Sequence, residues 1–451
     1  MNLNSINNIY LIGIGGIGMS ALANYFHNIN KRVSGYDIKQ SKITDSLSYK
    51  GIKIIFNDNA THIGKEYLDP EKTLVIITPA IPKTNSILNF FANKNFKIIK
   101  RSEALGMITH NTNCLAIAGT HGKTTTTSIL AHLMLKSNQK VIAFLGGISE
   151  NYKSNFIDNG SEFSVVEADE FDRSFLHLNP NLACITSMDA DHLDIYHNKT
   201  NLKIAFKEFS ELLPSKGSLF VHESINFPGL SYGFDPRSDY CAQNLSLHDG
   251  FYVFDLKTPK TTYKRLKFSL PGKHNLSNAI VAFAMALEVG CDEFSLRDAI
   301  ESYKGVERRF TYKIKTDNFI FIDDYAHHPK EIDAVWNAIS EIYPNTKTTA
   351  IFQPHLFSRT RDFSDEFANS LSRFDSVLLL DIYPARELPI QGINSDWLLG
   401  KINSKTKKLV TKNTLMQSIK NIDNPILVTM GAGDIDLIAD ELTNNLLKNE
   451  I

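Results

Sequence analysis

The 451-residue chain has little of what would assign it to a specialised class of protein. Its 48 basic residues nearly balance its 49 acidic residues, and the formal net charge is −1. A nucleic acid or an anionic membrane is therefore not expected as a partner. No apolar run approaches the ~20 residues that a membrane-spanning helix needs, and the N-terminus lacks the charged and apolar segments of a secretory signal. These absences predict a cytoplasmic protein without membrane insertion.

Cysteine is also scarce. The four cysteines lie far apart and form no Cys-x-x-Cys pair, so neither a zinc knuckle nor a disulfide framework is expected. What is present, 43% hydrophobic and 22% charged residues, is typical of a globular protein. The length exceeds what one hydrophobic core usually supports, which predicts two to four domains.

The most informative segment is a glycine-bounded turn between an apolar run, residues 115–118, and a helical pattern, residues 126–136. Such a turn aims backbone N–H groups and the positive end of a helix dipole at one point, where a polyphosphate can bind. Lys123 can neutralise the phosphate oxygens and the Thr124 hydroxyl can hold Mg²⁺. An ordinary strand-turn-helix is the alternative, but it leaves four consecutive threonines, which are poor helix formers, unexplained. The predicted ATP-binding loop comprises Gly119, Thr120, His121, Gly122, Lys123, Thr124 and Thr125.

A second glycine turn lies near the N-terminus. Gly13, Gly15 and Gly18 follow the apolar run 9–12 in the spacing Gly-x-Gly-x-x-Gly, and Asp37 ends the next strand-like run. The pattern is typical of dinucleotide-binding turns, but any diphosphate ligand, including a UDP-sugar, needs the same close approach to the backbone. A turn that only packs a helix against a strand is the other alternative. Because a dehydrogenase would not need a second phosphate loop, two separate phosphate-containing ligands are favoured.

Acidic clusters follow two later strand-like runs. Residues 167–172 carry four acids, of which Glu167, next to the apolar run, is the predicted Mg²⁺ ligand because Mg²⁺ prefers hard oxygen donors. The other acids are interpreted as a solvated loop. Residues 189–194 place His192 among three aspartates. Histidine is an uncommon Mg²⁺ ligand, so the residues alone favour a hydrogen-bonding role for His192.

Further polar clusters occur in the second half of the chain. His274 and Asn278 lie at i, i+4 on one face of a predicted helix. The pair Arg308-Arg309 can offer a guanidinium to phosphate. For each cluster alone, satisfied core polar groups or surface charge explain the residues about as well as function does. Their shared position at predicted strand ends, where ligands of open α/β sheets bind, favours function. The residues concerned are His274, Asn278, Arg308, Asp324, Tyr325, His327, His328 and His355.

Alternating strand-like and helical segments fall into three α/β blocks. Boundaries near residues 110 and 310 give predicted domains 1–110, 111–310 and 311–451. The second block carries a β-rich insertion around residues 216–270. The predicted fold class is α/β, with a Rossmann-like N-terminal domain, a central P-loop domain with a parallel sheet, and a Rossmann-like C-terminal domain.

Together these motifs resemble the ATP-dependent Mur ligases, which build the peptide stem of peptidoglycan. The resemblance covers essentially the whole chain, and so many motifs in one order are jointly specific. The Gly-Thr-His-Gly-Lys loop, a Tyr-Ala-His-His-Pro element and a Gln-Pro-His element are most similar to the family members that use L-alanine. The motifs are residues 13–20, 119–125, 167–170, 191–194, 274–279, 308–310, 323–329 and 353–355.

The resemblance implies a UDP-substrate-binding domain, a central ATPase domain and a C-terminal domain that closes over ATP. It implies a reaction that joins L-alanine to UDP-N-acetylmuramate and converts ATP to ADP and phosphate, with Mg²⁺ as the cofactor. By motif, both Glu167 and His192 become metal ligands, which replaces the hydrogen-bonding role given to His192 above. The other implied roles are adenine binding by His274 and Asn278, nucleotide binding by Arg308, Asp324 and Tyr325, and UDP binding by Gly15, Gly16, Ile17 and Asp37.

One departure from the family concerns the metal site. Sibling ligases carry a lysine, modified to a carbamate, in the helix after the Asp-His-x-Asp element. Phe206 occupies the equivalent position here, with Lys207 one residue away. A carbamylated lysine is therefore not expected, and the completion of a second Mg²⁺ site stays open.

The expected chemistry begins with a carboxylate, which does not acylate an amine at neutral pH because its oxyanion is a poor leaving group. Transfer of the γ-phosphoryl group makes an acyl phosphate, which the amine can attack. Lys123 belongs to the predicted catalytic set, and His327, His328 or His355 would position the amine or accept its proton. The alternatives are a recycling ligase that attaches a tripeptide to the same nucleotide sugar, a nicotinamide-dependent dehydrogenase, and a P-loop GTPase. The sequence lacks the Asn-Lys-x-Asp guanine reader that a GTPase needs.

Overall fold

The structure is a computed structural model that describes residues 5–189, 196, 198–248, 250–385, 387–420, 422 and 424–448. The predicted metal ligand His192 lies outside the described residues. Three sheets account for the strands of the described part, and all three are wholly or largely parallel. No helix in that part combines the length and the apolar character that crossing a membrane requires.

The first sheet has the strand order β3-β2-β1-β4-β5, and its pairings are parallel. Its central strand, β1, is buried along its whole length and leads directly into the glycine turn and the first helix. The strands are β1 Asn8–Ile12, β2 Arg32–Tyr36, β3 Lys53–Ile55, β4 Thr73–Ile77 and β5 Lys97–Lys100; the helices are α1 Ile17–Asn28, α2 Lys42–Tyr49, α3 Ser86–Asn93 and α4 Arg101–Thr109, with short 3-10 turns at Ala60–His62 and Lys65–Tyr67.

The second sheet has the order β15-β14-β13-β12-β11-β10-β6-β9-β7-β8. Its middle strands β11, β10, β6, β9 and β7 pair in parallel, whereas β8 returns antiparallel to β7. The strands are β6 Asn113–Ala118, β7 Val141–Ser149, β8 Ser154–Asp158, β9 Phe163–Ala168, β10 Pro180–Ile185, β11 Ser218–His222, β12 Leu230–Gly233, β13 Tyr240–His248, β14 Phe251–Lys257 and β15 Thr262–Phe268; the helices are α5 Lys123–Lys136, α6 Lys199–Ser210, α7 Lys273–Glu288 and α8 Glu293–Ser302, with a 3-10 segment at Phe171–His177.

The third sheet has the order β16-β17-β21-β18-β19-β20, in which only the β16–β17 pairing is antiparallel. Apolar clusters cover both of its faces, one including Phe352 and Val428 and the other Ile351 and Leu427. The strands are β16 Thr311–Lys315, β17 Ile320–Asp324, β18 Thr348–Phe352, β19 Ser376–Leu379, β20 Thr406–Leu409 and β21 Ile426–Met430; the helices are α9 Pro329–Ile342, α10 Phe357–Asp362, α11 Ser364–Leu371, α12 Ser395–Lys401, α13 Lys412–Lys420 and α14 Ile435–Lys448.

The chain divides into two compact units. Unit 1 comprises the residues up to 246 together with Val253–Phe268 and Ser277–Lys304, and unit 2 comprises Leu247–Tyr252, Ser269–Leu276 and the residues from Gly305 onward. Unit 1 holds the first sheet and most of the second. These two sheets share one apolar core, in which helix α1 packs against strand β7.

Candidate active site

The phosphate loop lies between β6 and α5, at the carboxyl end of the second sheet. Gly119 has φ +130°, and a Cβ there would overlap the hydroxyl of Thr186. Gly122 has φ +83°, and a Cβ there would lie 2.7 Å from Oδ1 of Asn278. Both positions therefore require glycine, because left-handed backbone and close packing together exclude a side chain.

Residues just after β10 hold the loop in place. The Ser187 hydroxyl accepts a hydrogen bond from the His121 backbone N–H (2.7 Å) and lies 2.9 Å from the Thr120 hydroxyl. The backbone N–H of Asp189 donates to the Thr120 hydroxyl (3.1 Å), and the Asp189 carboxylate lies 3.6 Å from Nε2 of His121. Neither Thr186 nor Ser187 belonged to the predicted site.

Lys123 begins α5, and its ammonium group is fully engaged within unit 1. Its Nζ donates to the Gly119 carbonyl (2.6 Å) and to both carboxylate oxygens of Glu170 (3.0 and 2.8 Å). The Glu170 side chain is completely buried and that of Lys123 is 15% exposed. Burial alone would lower the pKa of Lys123, but the charges of Glu170 and Asp169 offset this and the pKa lies above its usual value. Lys123 is therefore charged, and its charge faces the loop.

Thr124 and Glu167 lie together beside Lys123. The Thr124 hydroxyl donates to the Glu167 carboxylate, which also accepts the backbone N–H of Gly146 (2.6 Å). Burial raises the pKa of Glu167, and the opposing effects of Lys123, Gly146 and Thr124 do not fully offset it. Among the described residues no group of three or more His, Cys, Asp or Glu side chains is arranged to hold a metal ion.

The resemblance predicts that Phe206 stands where sibling ligases carry a carbamylated lysine. Phe206 is buried and meets the ring of Phe175 edge-on at 5.6 Å. Lys207 is exposed and pairs with Glu211 at 3.5 Å along α6. The assignment of Phe206 to the lysine position stays a prediction from the sequence.

The N-terminal glycine turn is held by an acidic side chain. The Asp37 carboxylate accepts the backbone N–H of Gly15 at 2.7 Å with one oxygen and that of Ile38 at 2.8 Å with the other. A Cβ at Gly15 would lie 2.8 Å from the same carboxylate. Gly16 is exposed, and Ile17 starts α1 without an acidic residue in its first turn.

A cleft of about 320 Å³ in unit 1 extends from the N-terminal glycine turn to the predicted metal ligand Glu167. One wall carries Gly16 and Ile17, and another carries Glu167, the carboxylate that bonds Thr124. Arg101 and Asp169 also line the cleft, and the sequence interpretation assigned neither to the site. The sequence offers little signal for either residue, because Arg101 is one basic residue directly after β5 and Asp169 is one of the four acids in residues 167–172.

In unit 2, the residues predicted to contact nucleotide form a connected network. Arg308 has φ +61°, and its guanidinium donates to the Asp323 carboxylate (3.0 Å) and the Gly431 carbonyl (2.7 Å). Asp324 accepts backbone N–H groups of Phe310 and Ala326, both at 2.7 Å, and burial raises its pKa to about 6. The guanidiniums of Arg308 and Arg309 lie 5.3 and 5.1 Å from the centre of the Tyr325 ring.

The two predicted adenine-binding residues lie on α7, as expected. His274 is exposed in its first turn, whereas Asn278 is buried behind Gly122. Both positions therefore match the predicted helix.

The three predicted histidines differ in their surroundings. Nδ1 of His327 lies 3.0 Å from the Tyr325 carbonyl and 3.3 Å from the Glu331 carboxylate. Burial lowers the pKa of His327, against the opposing charge of Glu331. His328 is buried and caps α9, its Nδ1 accepting the Lys330 N–H at 3.4 Å. His355 lies 6.0 Å from the His327 ring and accepts from the Arg359 guanidinium at 3.4 Å.

A further glycine segment follows β21 and was not predicted. A Cβ at Gly431 would lie 2.8 Å from the Gln353 carbonyl, and one at Gly433 would overlap the Gln353 side chain. Gln353 also donates to the Asp434 carboxylate at 2.9 Å. The sequence Gly-Ala-Gly-Asp after an apolar run was the signal that could have revealed it.

The fold and the two glycine turns define an α/β protein of the nucleotide-binding class. Three family models match successive parts of the chain: "Mur ligase family, catalytic domain" over residues 8–112, "Mur ligase middle domain" over 117–286 and "Mur ligase, glutamate ligase domain" over 308–433. The chain belongs to the Mur ligase family. The predicted three-domain α/β fold and the predicted class of enzyme, an ATP-dependent ligase that forms amide bonds, are thereby confirmed.

Relatives match nearly the whole chain. It is 57% identical over 435 residues to the UDP-N-acetylmuramate–L-alanine ligase of Flavobacterium psychrophilum, covering 96% of this chain and 97% of that one. It is 54% identical to the ligase of the same name from Christiangramia forsetii, covering 99% of both.

Solved structures of Mur ligases have the same fold as this chain. The UDP-N-acetylmuramate-alanine ligase of Thermotoga maritima superposes with a TM-score of 0.83 at 26% identity, covering 98% of this chain and all of that one. A murein peptide ligase from Psychrobacter arcticus, at a TM-score of 0.68 and 21% identity over 97% of this chain and 98% of that one, shares the fold.

Proposed function

We propose that this protein joins L-alanine to the lactyl carboxylate of UDP-N-acetylmuramate, with ATP converted to ADP and phosphate, as a step of peptidoglycan synthesis in the cytoplasm. The observation that carries the proposal is the cleft that Gly16 and Ile17 share with Glu167. The glycine turn suits a diphosphate, and Glu167 is bonded to the phosphate loop through Thr124. A sugar nucleotide bound at the turn would thus direct its far end towards the γ-phosphate of ATP.

The first step transfers the γ-phosphoryl group to the carboxylate. A carboxylate oxygen forms the new P–O bond while the bond to the β-phosphate oxygen breaks, and ADP leaves. This reaction needs positioning and charge neutralisation more than covalent help. Lys123 and the N-terminus of α5 supply positive charge at the loop, and Glu170 keeps Lys123 directed at Gly119.

Mg²⁺ fits the donors at the loop. The Thr124 hydroxyl and the Glu167 carboxylate are hard oxygen donors in mutual contact, and Mg²⁺ in nucleotide sites usually takes one or two protein ligands, with waters and phosphates completing the shell. By the resemblance to the family, His192 would be a further ligand. When bound, Mg²⁺ would neutralise charge on the transferring phosphoryl group.

In the second step the amine of alanine attacks the acyl carbon, the amide bond forms and phosphate leaves. The amine must arrive as free NH₂, so a group has to accept the proton of its ammonium form. The surroundings of His327 support that role. A carbonyl oxygen can only accept, so Nδ1 of His327 carries the proton that bonds Tyr325, and Nε2 is left as the basic nitrogen.

The other predicted nucleotide contacts stay part of the proposal. His274 and Asn278 would hold the adenine, and Arg308, Asp324 and Tyr325 would reach the nucleotide from the C-terminal domain. The proposed domains are residues 1–110, 111–310 and 311–451.

Purified protein tests the reaction directly. Phosphate release should require UDP-N-acetylmuramate, L-alanine and Mg-ATP together. Lys123→Ala should lower kcat by at least about 100-fold, because the charge that Lys123 places on the phosphates acts in a partly buried site. Lys136→Ala, an exposed position at the other end of the same helix, is the matched control and should behave as wild type.

Two outcomes would reject the proposal: phosphate release that is indifferent to the amino acid, or full amide synthesis by Lys123→Ala. Offering alanine and the tripeptide L-alanyl-γ-D-glutamyl-meso-diaminopimelate in competition tests the recycling alternative. Preferred incorporation of the tripeptide would favour that alternative.

A further inference from the structure

Arg101 is the one cationic side chain among the residues that line the cleft in the described part of the chain. It is the first residue of α4, directly after edge strand β5, and its side chain is 26% exposed. Two carboxylates, Glu167 and Asp169, line the same cleft. A negatively charged ligand that enters it therefore meets net negative protein charge unless it binds near Arg101.

The guanidinium of Arg101 lies across the first turn of α1. A Cβ built on Gly18 would lie 3.0 Å from both Cδ and Nη1 of Arg101. A side chain at this position would push against the arginine, so the glycine leaves room for Arg101 to approach the helix N-terminus. The positive end of the α1 dipole and the guanidinium are thus presented to the same part of the cleft.

The glycine turn alone is poorly supplied with charge for a diphosphate. Asp37 already places a carboxylate on it, occupying the Gly15 N–H at 2.7 Å. The partner of Arg101 in the structure is Asp169, whose Oδ2 lies 3.6 Å from Nη2, longer than a hydrogen-bonded fork. A guanidinium carries five N–H donors in a planar fork, which suits the binding of two phosphate oxygens.

From these contacts we infer that Arg101 binds the diphosphate of the UDP-sugar, with Asp169 as the residue that positions its guanidinium. The inference rests on the proposed function and names a residue that sets affinity for the nucleotide sugar. The lactyl carboxylate is the competing anionic group on the same substrate. The position of Arg101 over the first turn of α1 favours the diphosphate, because helix N-termini at glycine turns bind phosphate.

Calorimetry with Arg101→Met tests the inference, because binding needs no turnover. The ligands are UDP, UDP-N-acetylglucosamine, which lacks the lactyl carboxylate, and UDP-N-acetylmuramate. We expect the Kd to rise about 10- to 100-fold for all three, since hydrogen bonds between charged groups are lost. Arg101→Lys, which keeps the charge but not the fork, should fall between Arg101→Met and wild type.

Lys100→Met is the matched control. Lys100 precedes Arg101, pairs with Asp172 at 2.7 Å and does not line the cleft, so its loss should change each Kd by less than about twofold. In steady state, Arg101→Met should raise the KM for the nucleotide sugar and leave the KM for ATP nearly unchanged.

Two results would overturn the inference about Arg101, and a third would reject only the proposed function. Unchanged Kd values for UDP in Arg101→Met would overturn the inference, as would a loss confined to UDP-N-acetylmuramate, which would assign Arg101 to the lactyl carboxylate. A wild-type protein that binds UDP-sugars but never forms the amide would reject the proposed function and leave the binding role of Arg101 standing.

Discussion

All three N–H donors of the Lys123 ammonium group are hydrogen-bonded, yet the group lies where it can contact a phosphate. Its three N–H donors are taken by Gly119 and by the two oxygens of the buried Glu170. A phosphate that contacts Lys123 has to replace or share one of these bonds. Glu170 holds the ammonium within a few ångströms of the loop carbonyl, so little reorganisation is needed when the phosphate binds.

The histidines illustrate how hydrogen-bond partners separate residues that look alike in sequence. Nδ1 of His328 accepts a backbone N–H at the start of α9, and Nδ1 of His355 accepts a hydrogen bond from Arg359. Only His327 of the three has Nδ1 fixed as a donor by a carbonyl, which leaves a basic Nε2. Burial also lowers the pKa of His327, which keeps the ring neutral at neutral pH.

Substitution of His327 follows from this difference. His327→Gln should lower kcat by about 100-fold or more, because general-base catalysis is worth roughly 10²–10⁴. The KM for ATP should change little. Because the pKa of His327 lies below 6.5, rates measured between pH 5 and 8 should show that the acidic limb of the kcat profile disappears in the variant. His110→Gln, at an exposed position, is the control. A large loss in His355→Gln with a normal His327→Gln would reassign the base.

At the residue scale, the sequence predicts site residues that belong to one short motif. It does not predict site residues that only the fold brings close to that motif. Lys123 and Thr124 follow from the loop pattern, since neighbours in sequence form the turn. Arg101 and Ser187 act through contacts with residues far along the chain, and no local pattern records those contacts. The acidic run predicts a solvated Glu170, and this prediction is wrong: the side chain is completely buried against Lys123, a partner too distant in sequence for a local pattern to show.

Strand ends supply the framework of the phosphate loop. β6 pairs with β10 on one side and with β9 on the other, with Ala118 opposite both Ile185 and Ala168. The residues that follow these strands therefore meet at one edge of the sheet. Ser187 follows β10 and bonds the loop, and Glu167 near the end of β9 bonds Thr124.

Removing the Ser187 hydroxyl should loosen the loop without unfolding the sheet. Ser187→Ala leaves the His121 N–H without its present acceptor, which costs about 1–3 kcal/mol when such a group is partly buried. We expect the Kd for ATP to rise about 5- to 50-fold with little change in the melting temperature. Titration with a fluorescent ATP analogue measures the Kd.

Ser164→Ala is the matched control for that experiment. Ser164 is a buried serine of the same sheet, near the start of β9, and its hydroxyl bonds Thr112 at 2.6 Å, away from the loop. Its loss should lower stability without altering ATP affinity. If both variants lost ATP affinity equally, the weakening would reflect general destabilisation of the sheet and not the loop contact.

Elements with a continuous apolar pattern were predicted within a few residues. The predicted runs 9–12 and 164–167 appear as β1 Asn8–Ile12 and β9 Phe163–Ala168. The antiparallel return of β8 was not predicted, because its residues, 154–158, alternate too little to indicate a strand. The threonine run of α5 is explained by burial, since Thr124 to Thr127 are all covered and helix propensity yields to packing there.

The sequence predicts three α/β blocks for the whole chain, whereas the structure divides into two compact units. The boundary near residue 110 separates two sheets, yet these sheets share a core in which Tyr25 meets Phe144 at 5.7 Å and Phe156 at 6.2 Å. A shared core arises from long-range packing, so composition and periodicity do not reveal it. The boundaries near 110 and 310 stay predictions.

One buried histidine connects the fold to global stability. His132, near the end of α5, is fully buried; its Nδ1 lies 2.6 Å from the Tyr152 hydroxyl and its Nε2 lies 3.0 Å from the Ala299 carbonyl. Burial lowers its pKa to about 4, from an ordinary value of 6.5. The native state therefore favours the neutral ring, which links α5 to α8.

This shift predicts an acid-sensitive fold. A lowered native pKa means that the stabilisation is complete above pH 6.5 and is lost as the pH falls from 6.5 towards 4, because the unfolded chain takes up the proton first. Between pH 7.5 and 5.0 the loss should be about 2 kcal/mol of unfolding free energy.

His132→Gln should be less stable than wild type at pH 7.5 by about 1–3 kcal/mol, since buried hydrogen bonds are disturbed. The variant should lose less unfolding free energy than wild type on acidification. Urea unfolding at the two pH values measures both effects, and His110→Gln should keep the wild-type dependence. If His132→Gln and wild type lost stability in parallel, other groups would govern the acid sensitivity.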